Sequence, residues 1–321
     1  MAKEKHSEKL STEPYKGVRD FYPEDMAVQN YIFGVWKKVA QDAGYVEYSA
    51  SILEPAELYR SKTSSEIVNE QTFSFKDRGD RDVVLRPEMT PTLARMVAGR
   101  RRSLKFPLRW FSIPNVFRYE RPQRGRKREH WQLNCDVMGI AGIEAEVEII
   151  SLAYNIMKAF GAKDEDFEIK INSRQLLQEA YAPILKDPSK PEEMFRLMDK
   201  KEKMEKAEFE AEWEKLFTGP FAEPNVTDNQ RLAEIMKVLQ DKGIKTVFSP
   251  AVTRGFDYYT DMVFEVFDTS PENNRSLFGG GRYDNLLEMF GVEPVPTVGF
   301  GMGDVTIRDF LETHGLPLCE K

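Results

Sequence analysis

Residues 117–139 read FRYERPQRGRKREHWQLNCDVMG, and the fold turns on this stretch. It predicts two short strands joined by an arginine-rich turn. In the first strand Arg118 and Glu120 share a face opposite Phe117 and Tyr119. In the second, Trp131, Leu133, Cys135 and Val137 alternate with Gln132, Asn134 and Asp136, the period of two that a strand imposes on its side chains. The turn carries Arg121, Arg124, Arg126, Lys127 and Arg128. A sheet face bearing an amide, a carboxylate and an arginine under a basic loop suits a small polar substrate beside a polyphosphate, because a guanidinium fork matches phosphate oxygens. The same residues also read as a cross-strand ion pair and a solvated turn. His130 and Trp131 offer a surface on which a base can stack, or ordinary strand packing.

Outward from there, Pro23 with Glu24 and Asp25 opens a helix. Val28, Tyr31, Ile32, Val35, Trp36, Val39, Ala40 and Ala43 recur at helical spacing until Gly44 stops it. A strand-like segment ends at Glu54–Pro55, and residues 83–97 predict a strand, a tight turn containing proline and a helix. Glu144 to Phe160 is an amphipathic helix closed by Gly161, and Phe167, Ile169 and Ile171 alternate as a strand. Further strands are expected at Thr246 to Phe248 and Met262 to Phe267. From about residue 173 to 243 the chain is helix-forming and heavily charged, as in MDKKEKMEKAEFEAEWEKLF. The expected organisation is a flexible N-terminus over 1–15, one domain built from 16–172 and 244–321, and a helical insertion over 173–243. Hairpins mixed with helices predict an α+β fold with a mainly antiparallel sheet flanked by helices.

Composition narrows the function. The 321 residues carry a net charge of −7 with 31% charged side chains, so any nucleic-acid contact must use a local basic patch. The candidates are the arginine turn and the segment Arg95 to Arg109, with Arg100, Arg101, Arg102 and Lys105. Two cysteines, Cys135 and Cys319, stand far apart in no metal-ligand spacing, which predicts a reducing, cytoplasmic location. The opening MAKEKHSEKLSTEP has no apolar core, and no apolar run is long enough for a bilayer. No P-loop and no Rossmann glycine pattern is present.

Four more segments bear candidate chemistry. RPEMT places Glu88 and Thr90 at a tight turn, where Glu88 could receive an amino group or simply favour a helix N-terminus. TRGFDYYT, from Thr253, sets Arg254 near Tyr258 and Tyr259: a cation and phenols in one pocket, or a loop before an aromatic strand. The glycine runs at Gly279–Gly281 and Gly299–Gly303 permit close approach to a ligand, or mark a turn, a bulge or tight packing. Tyr283 could equally be core.

Taken in order, KGVRDFYP, RPEMTPTLARM, FRYERPQRGRKREHWQLNCD, RGFDYYT, GGGRYD and VGFGMG resemble the catalytic core of the histidyl-tRNA synthetases, class II aminoacyl-tRNA synthetases. The resemblance runs from about Lys16 to Leu311. It implies a six-stranded antiparallel sheet with flanking helices, and a homodimer formed through the helix ending near Gly44 and the strand to Pro55. By this resemblance Glu88 and Thr90 hold the α-amino group of histidine. Gln132 and Asp136 face the histidine, and Tyr258 and Tyr259 surround its imidazole. Arg118 grips the ATP α-phosphate, Glu120 lies near the adenine, Arg126 reaches the outer phosphates, and His130 takes the place of the stacking aromatic. Arg254 is the extra catalytic arginine that also meets histidine. The implied partners are histidine, ATP with magnesium, and the acceptor end of tRNA(His). No metal held by the protein and no membrane is expected. Three departures stand out. Thr306 falls where the family has an arginine, with Arg308 two residues on. His130 replaces a larger aromatic. The sequence ends after the catalytic core, without the anticodon-binding domain. A rival reading is a regulatory paralogue that binds histidine without activating it, as the regulatory subunit of ATP phosphoribosyltransferase does.

Overall fold

The computed structural model describes residues 10–60, 71–201, 204–254, 257–273 and 275–319. The first nine residues of the expected flexible N-terminus, and Gly255 and Phe256 of the RGFDYYT segment, lie outside the described residues.

The strands are β1 (Val46–Glu47), β2 (Leu53–Pro55), β3 (Phe73–Lys76), β4 (Asp82–Leu85), β5 (Leu108–Ser112), β6 (Asn115–Phe117), β7 (Glu129–Met138), β8 (Phe167–Ser173), β9 (Thr246–Phe248), β10 (Met262–Asp268), β11 (Ser276–Arg282) and β12 (Thr297–Gly303). The main sheet has nine strands in the order β1-β5-β7-β12-β11-β10-β8-β9, with β6 pairing onto β7. The six from β5 to β8 run antiparallel to their neighbours, while β1 and β9 join the two edges in parallel. The expected six-stranded antiparallel sheet is therefore the centre of a wider mixed sheet, and the α+β class is borne out. A second, three-stranded sheet pairs β2-β4-β3.

Alternation on β7 sorts its residues between two faces. Leu133, Cys135 and Val137 enter the main core, where each is fully buried. That core lies under helices α1 (Pro23–Asp42) and α4 (Glu144–Ala159), which contribute Ile32, Trp36, Ala40, Ile149, Ile150, Ala153 and Ile156. Each buried isoleucine among them stabilises the fold by about 1.5–3 kcal/mol. Trp131 packs edge-on against Phe21, with ring centroids 5.2 Å apart, and so belongs to the packing of this side. On the opposite face, α3 (Thr90–Arg100) lays Leu93, Ala94 and Val97 against a smaller cluster with Met138, Tyr258, Tyr259, Val263 and Tyr283. Between these helices, the short α2 (Glu57–Arg60) buries Leu58 and Tyr59.

The charged stretch 173–243 divides between two cores. Helices α5 (Arg174–Tyr181), α6 (Pro191–Lys200) and α7 (Lys206–Leu216) bury Leu177, Tyr181, Met194, Met198, Phe209, Trp213 and Phe217 among themselves. Trp213 stacks on Phe217 at 3.8 Å between centroids. Helix α8 (Gln230–Asp241) instead sends Leu232, Ile235 and Leu239 into the main core. A last helix, α9 (Asp304–Thr313), follows β12 directly. No helix among the described residues is long and apolar enough to cross a membrane.

Two local expectations are corrected. The strand before the arginine turn stops at Phe117, because the Glu120 N–H turns back to the Arg118 carbonyl at 2.7 Å. This three-residue reversal takes Glu120 off the strand face it was expected to share with Arg118. The glycines at 279–281 form neither a turn nor a terminal bulge but the middle of β11.

Because the α5–α7 cluster is separate from the main core, Trp213→Ala should destabilise that cluster by roughly 3–5 kcal/mol. Hydrogen exchange should then accelerate across residues 177–217 and stay near wild type in β7, β11 and β12. Uniform acceleration would show one cooperative unit instead.

Candidate active site

The cleft is built on glycine. Strands β11 and β12 pair at the centre of the sheet, with Gly279 opposite Gly301 and Gly281 opposite Gly299. A Cβ placed on Gly279 would stand 2.9 Å from Arg254 Nη1, and one on Gly281 would stand 2.9 Å from the Tyr259 ring. A Cβ on Gly299 would strike the Asp136 carboxylate, and one on Gly301 would meet the Gln132 amide at 2.8 Å. Polar side chains from neighbouring segments thus lie flat over a floor that has no side chains of its own.

Eight of the residues expected from sequence line this one cleft: Glu88, Thr90, Arg118, Gln132, Asp136, Arg254, Tyr258 and Tyr259. Thr90 is the first residue of α3, and Glu88 comes from the turn between β4 and α3, which buried Arg86 fixes. Its guanidinium donates to the Ala50 carbonyl at 2.8 Å and to the Asn115 carbonyl at 2.9 Å. Glu88 is 3% exposed and accepts a hydrogen bond from the Tyr258 hydroxyl at 3.0 Å. Arg118 donates from Nε to the Pro87 carbonyl at 2.9 Å, which sets its guanidinium beside that turn. A tyrosine next to a buried carboxylate keeps its proton, and burial pushes the Tyr258 hydroxyl well up.

Asp136 is buried and accepts a hydrogen bond from the Tyr283 hydroxyl. Burial pushes its carboxyl up to about 7, with the Tyr283 bond pulling the other way. Tyr283 and Asn134 also line the cleft and were not among the expected site residues. Asn134 shares the alternating face with Gln132 and Asp136, which was the available signal. Tyr283 reads from the sequence as pocket or core alike, and it packs against Tyr258 with centroids 5.6 Å apart.

Arg254 adopts φ of 58°, in the left-handed region, which costs a residue with a Cβ roughly 1–2 kcal/mol. Its Nη1 pairs with Glu265 Oε1 at 2.5 Å, and Nη2 donates to the Gly279 carbonyl at 3.3 Å.

The remaining three expected residues stand outside the lining of this cleft. Arg126 extends over the loop and pairs with Glu120 at 3.7 Å. His130 stands near the end of β12, its ring 3.8 Å from where a Cβ of Gly303 would be. Burial, then the Arg118 and Arg19 charges, push its pKa down to about 3, so the imidazole is neutral. Thr306 turns its hydroxyl to the Leu277 and Gly303 carbonyls at 2.7 and 3.1 Å. Arg308 pairs with Glu312 and Asp25 on the outer side of α9. Arg19, remote in sequence, reaches the start of α9 and is bound to Asp304 at 2.7 Å.

A central antiparallel sheet with parallel edges, helices on its back and a polar cleft over a glycine floor defines a class II aminoacyl-tRNA synthetase core. Solved structures share the fold. One is the histidyl-tRNA synthetase of Nostoc sp. PCC 7120, with a TM-score of 0.78 at 21% identity over 97% of this chain and 78% of that one. Another is a Bacillus halodurans protein described as an ATP phosphoribosyltransferase regulatory subunit/histidyl-tRNA synthetase, with a TM-score of 0.78 at 24% identity over 95% of this chain and 84% of that one. The sequence family described as histidyl-tRNA synthetase matches residues 17–216 and 205–305. The histidine–tRNA ligase of Leptospira biflexa is 47% identical over 334 residues, covering 96% of this chain and 76% of the relative. The chain belongs to the histidyl-tRNA synthetase family.

The Asp136 carboxyl should make stability fall as pH rises. Its folded pKa of about 7 lies above that of an unfolded aspartate, about 4. Below that unfolded value both states hold the proton. Between the two values only the unfolded chain loses it, so folding is progressively disfavoured until pH passes about 7. Urea unfolding at pH 5 and pH 8 should show Asp136→Asn gaining on wild type at the higher pH, by an amount on the order of 1–4 kcal/mol. Parallel curves for the two proteins would refute the raised pKa.

Proposed function

We infer that the chain is a histidine–tRNA ligase, which activates histidine with ATP and passes it to tRNA(His). The observation that carries this reading is one cleft in which Glu88, Thr90, Gln132, Asp136 and the tyrosines adjoin two arginines, Arg118 and Arg254. A small zwitterion with a polar ring needs the first group, and a phosphate needs the second. The 47% identity to a histidine–tRNA ligase over 96% of the chain supports the same activity.

In the proposed mechanism Glu88 and Thr90 receive the α-amino group, while Gln132, Asp136, Tyr258 and Tyr259 surround the imidazole. A carboxylate oxygen of histidine attacks the α-phosphorus of ATP. The new O–P bond forms as the bond to pyrophosphate breaks, and pyrophosphate leaves with the electron pair. Arg118 and Arg254 neutralise charge on the equatorial oxygens, and no protein nucleophile takes part. Arg126 meets the outer phosphates, and Glu120 and neutral His130 bound the adenine. A ribose hydroxyl of the tRNA acceptor end then attacks the acyl carbon and releases AMP. Magnesium travels with the ATP phosphates.

The proposal extends to the assembly and location. The exposed apolar side chains of Val46 on edge strand β1 and Leu53 on β2 support a homodimer through the segment that ends at Pro55. Within residues 173–243, the α5–α7 cluster acts as an insertion, while α8 belongs with the catalytic domain of residues 16–172 and 244–321, and the protein works in the cytoplasm.

Histidine-dependent ATP–pyrophosphate exchange tests the reading. Exchange with histidine and with no other amino acid is expected. Arg254→Ala should lower kcat for exchange by roughly 100- to 1,000-fold while calorimetric histidine binding stays within about threefold of wild type. Histidine binding without any exchange would favour the regulatory paralogue, a reading to which Thr306 lends support.

A further inference from the structure

Arg254 and Asp80 are the described residues other than glycine with positive φ. Asp80 sits in an exposed turn, whereas Arg254 is held in place by a specific cradle. Glu265 lies on β10 directly opposite Gly279 of β11. The missing side chain at Gly279 opens a slot, and Arg254 fills it, with Nη1 on Glu265 Oε1 at 2.5 Å and Nη2 on the Gly279 carbonyl at 3.3 Å. Arg254 Nε is buried without a hydrogen-bond partner among the described residues. Arg254 lines the cleft, and Glu265 does not.

We propose that Glu265 is a positioning residue for adenylate formation: its carboxylate fixes the Arg254 guanidinium at the cleft so that the arginine meets the α-phosphate already oriented. This rests on the ligase reading. An arginine has many rotamers, and its left-handed backbone sets only the direction in which the side chain leaves the chain. Two of its nitrogens are bound to a rigid strand pair, so the slot and the carboxylate select one orientation. That is the preorganisation a charge-stabilising group needs. Glu265 acts through Arg254 alone, so its removal should lower the rate of chemistry and leave histidine binding intact.

The experiment is histidine-dependent ATP–pyrophosphate exchange by wild type, Glu265→Gln, Glu265→Ala, Arg254→Ala and the double variant. Glu265→Ala should lower kcat roughly 10- to 100-fold, with Glu265→Gln, which keeps the shape and can still accept a hydrogen bond, between it and wild type. The histidine KM should stay within about threefold. In the Arg254→Ala background, Glu265→Ala should change kcat by less than about twofold, because the two losses are one loss. Additive effects, an unchanged kcat in Glu265→Ala, or a rise in KM that accounts for the whole loss would each overturn the proposal. If wild type itself performs no exchange, the ligase reading falls. Crystal structures of wild type and the near-isosteric Glu265→Gln then decide the positioning claim: a displaced Arg254 guanidinium supports it, and an unmoved one overturns it.

Discussion

The absence of side chains on one face of two adjacent strands is the constraint on which the cleft depends. Gly279, Gly281, Gly299 and Gly301 leave a layer of space about one side chain deep, and Arg254, Tyr259, Asp136 and Gln132 occupy it. An alanine at any of the four would collide with a neighbouring side chain or main-chain oxygen in a sheet whose strands are hydrogen-bonded on both sides. A central sheet position gives the backbone no freedom to retreat, so the collision would fall on the Phe264 and Met262 carbonyls at Gly279 and Gly281, and on the Asp136 and Gln132 side chains at Gly299 and Gly301. Strand stability suffers from glycine, and the main core on the other face compensates: Phe264, Phe278, Phe300 and Met302 are all buried there.

The same arrangement concentrates charge in a small volume. Carboxylates at Glu88 and Asp136 and guanidinia at Arg118 and Arg254 share one cleft. Each is held by a partner of a different kind. Tyrosine hydroxyls donate to the two acids, the Pro87 carbonyl accepts from Arg118, and Glu265 pairs with Arg254. Groups of both signs thus line one cleft, which suits a ligand that carries both signs.

Periodic elements were legible from the sequence. The helical spacing from Val28 to Ala43 reappears as α1, and the alternation from Leu133 to Asp136 reappears as the two faces of β7. Two features were not legible, for physical reasons. The glycine runs have the composition of turns, and only their pairing with strands distant in sequence makes them a sheet floor. Glu120 continued the alternation of Arg118 in sequence, yet a single backward hydrogen bond removed it from the strand. The site shows the same division. The segments around Glu88, Arg118, Asp136 and Tyr258 were readable as sites, and the structure gathers them into one cleft. Tyr283 was ambiguous because a tyrosine beside glycines suits a core as well as a pocket, and Glu265 carried no signal until its neighbour at Gly279 was known.

Strand order has a consequence for how the molecule is made. β12, at Thr297–Gly303, inserts between β7 and β11, so a central strand of the sheet is the last of its described strands to be synthesised. Until it emerges from the ribosome, β7 and β11 each present an open edge with no partner, the kind of edge that recruits other chains. Asp304, one residue beyond, accepts hydrogen bonds from the Trp131 amide, Arg19 and Gln29 and so ties three distant segments together at a single carboxylate. Contacts this remote in sequence form slowly. The edge of β7 therefore waits through the synthesis of residues 139–296 before its partner arrives, whereas the edge of β11 waits only through residues 283–296.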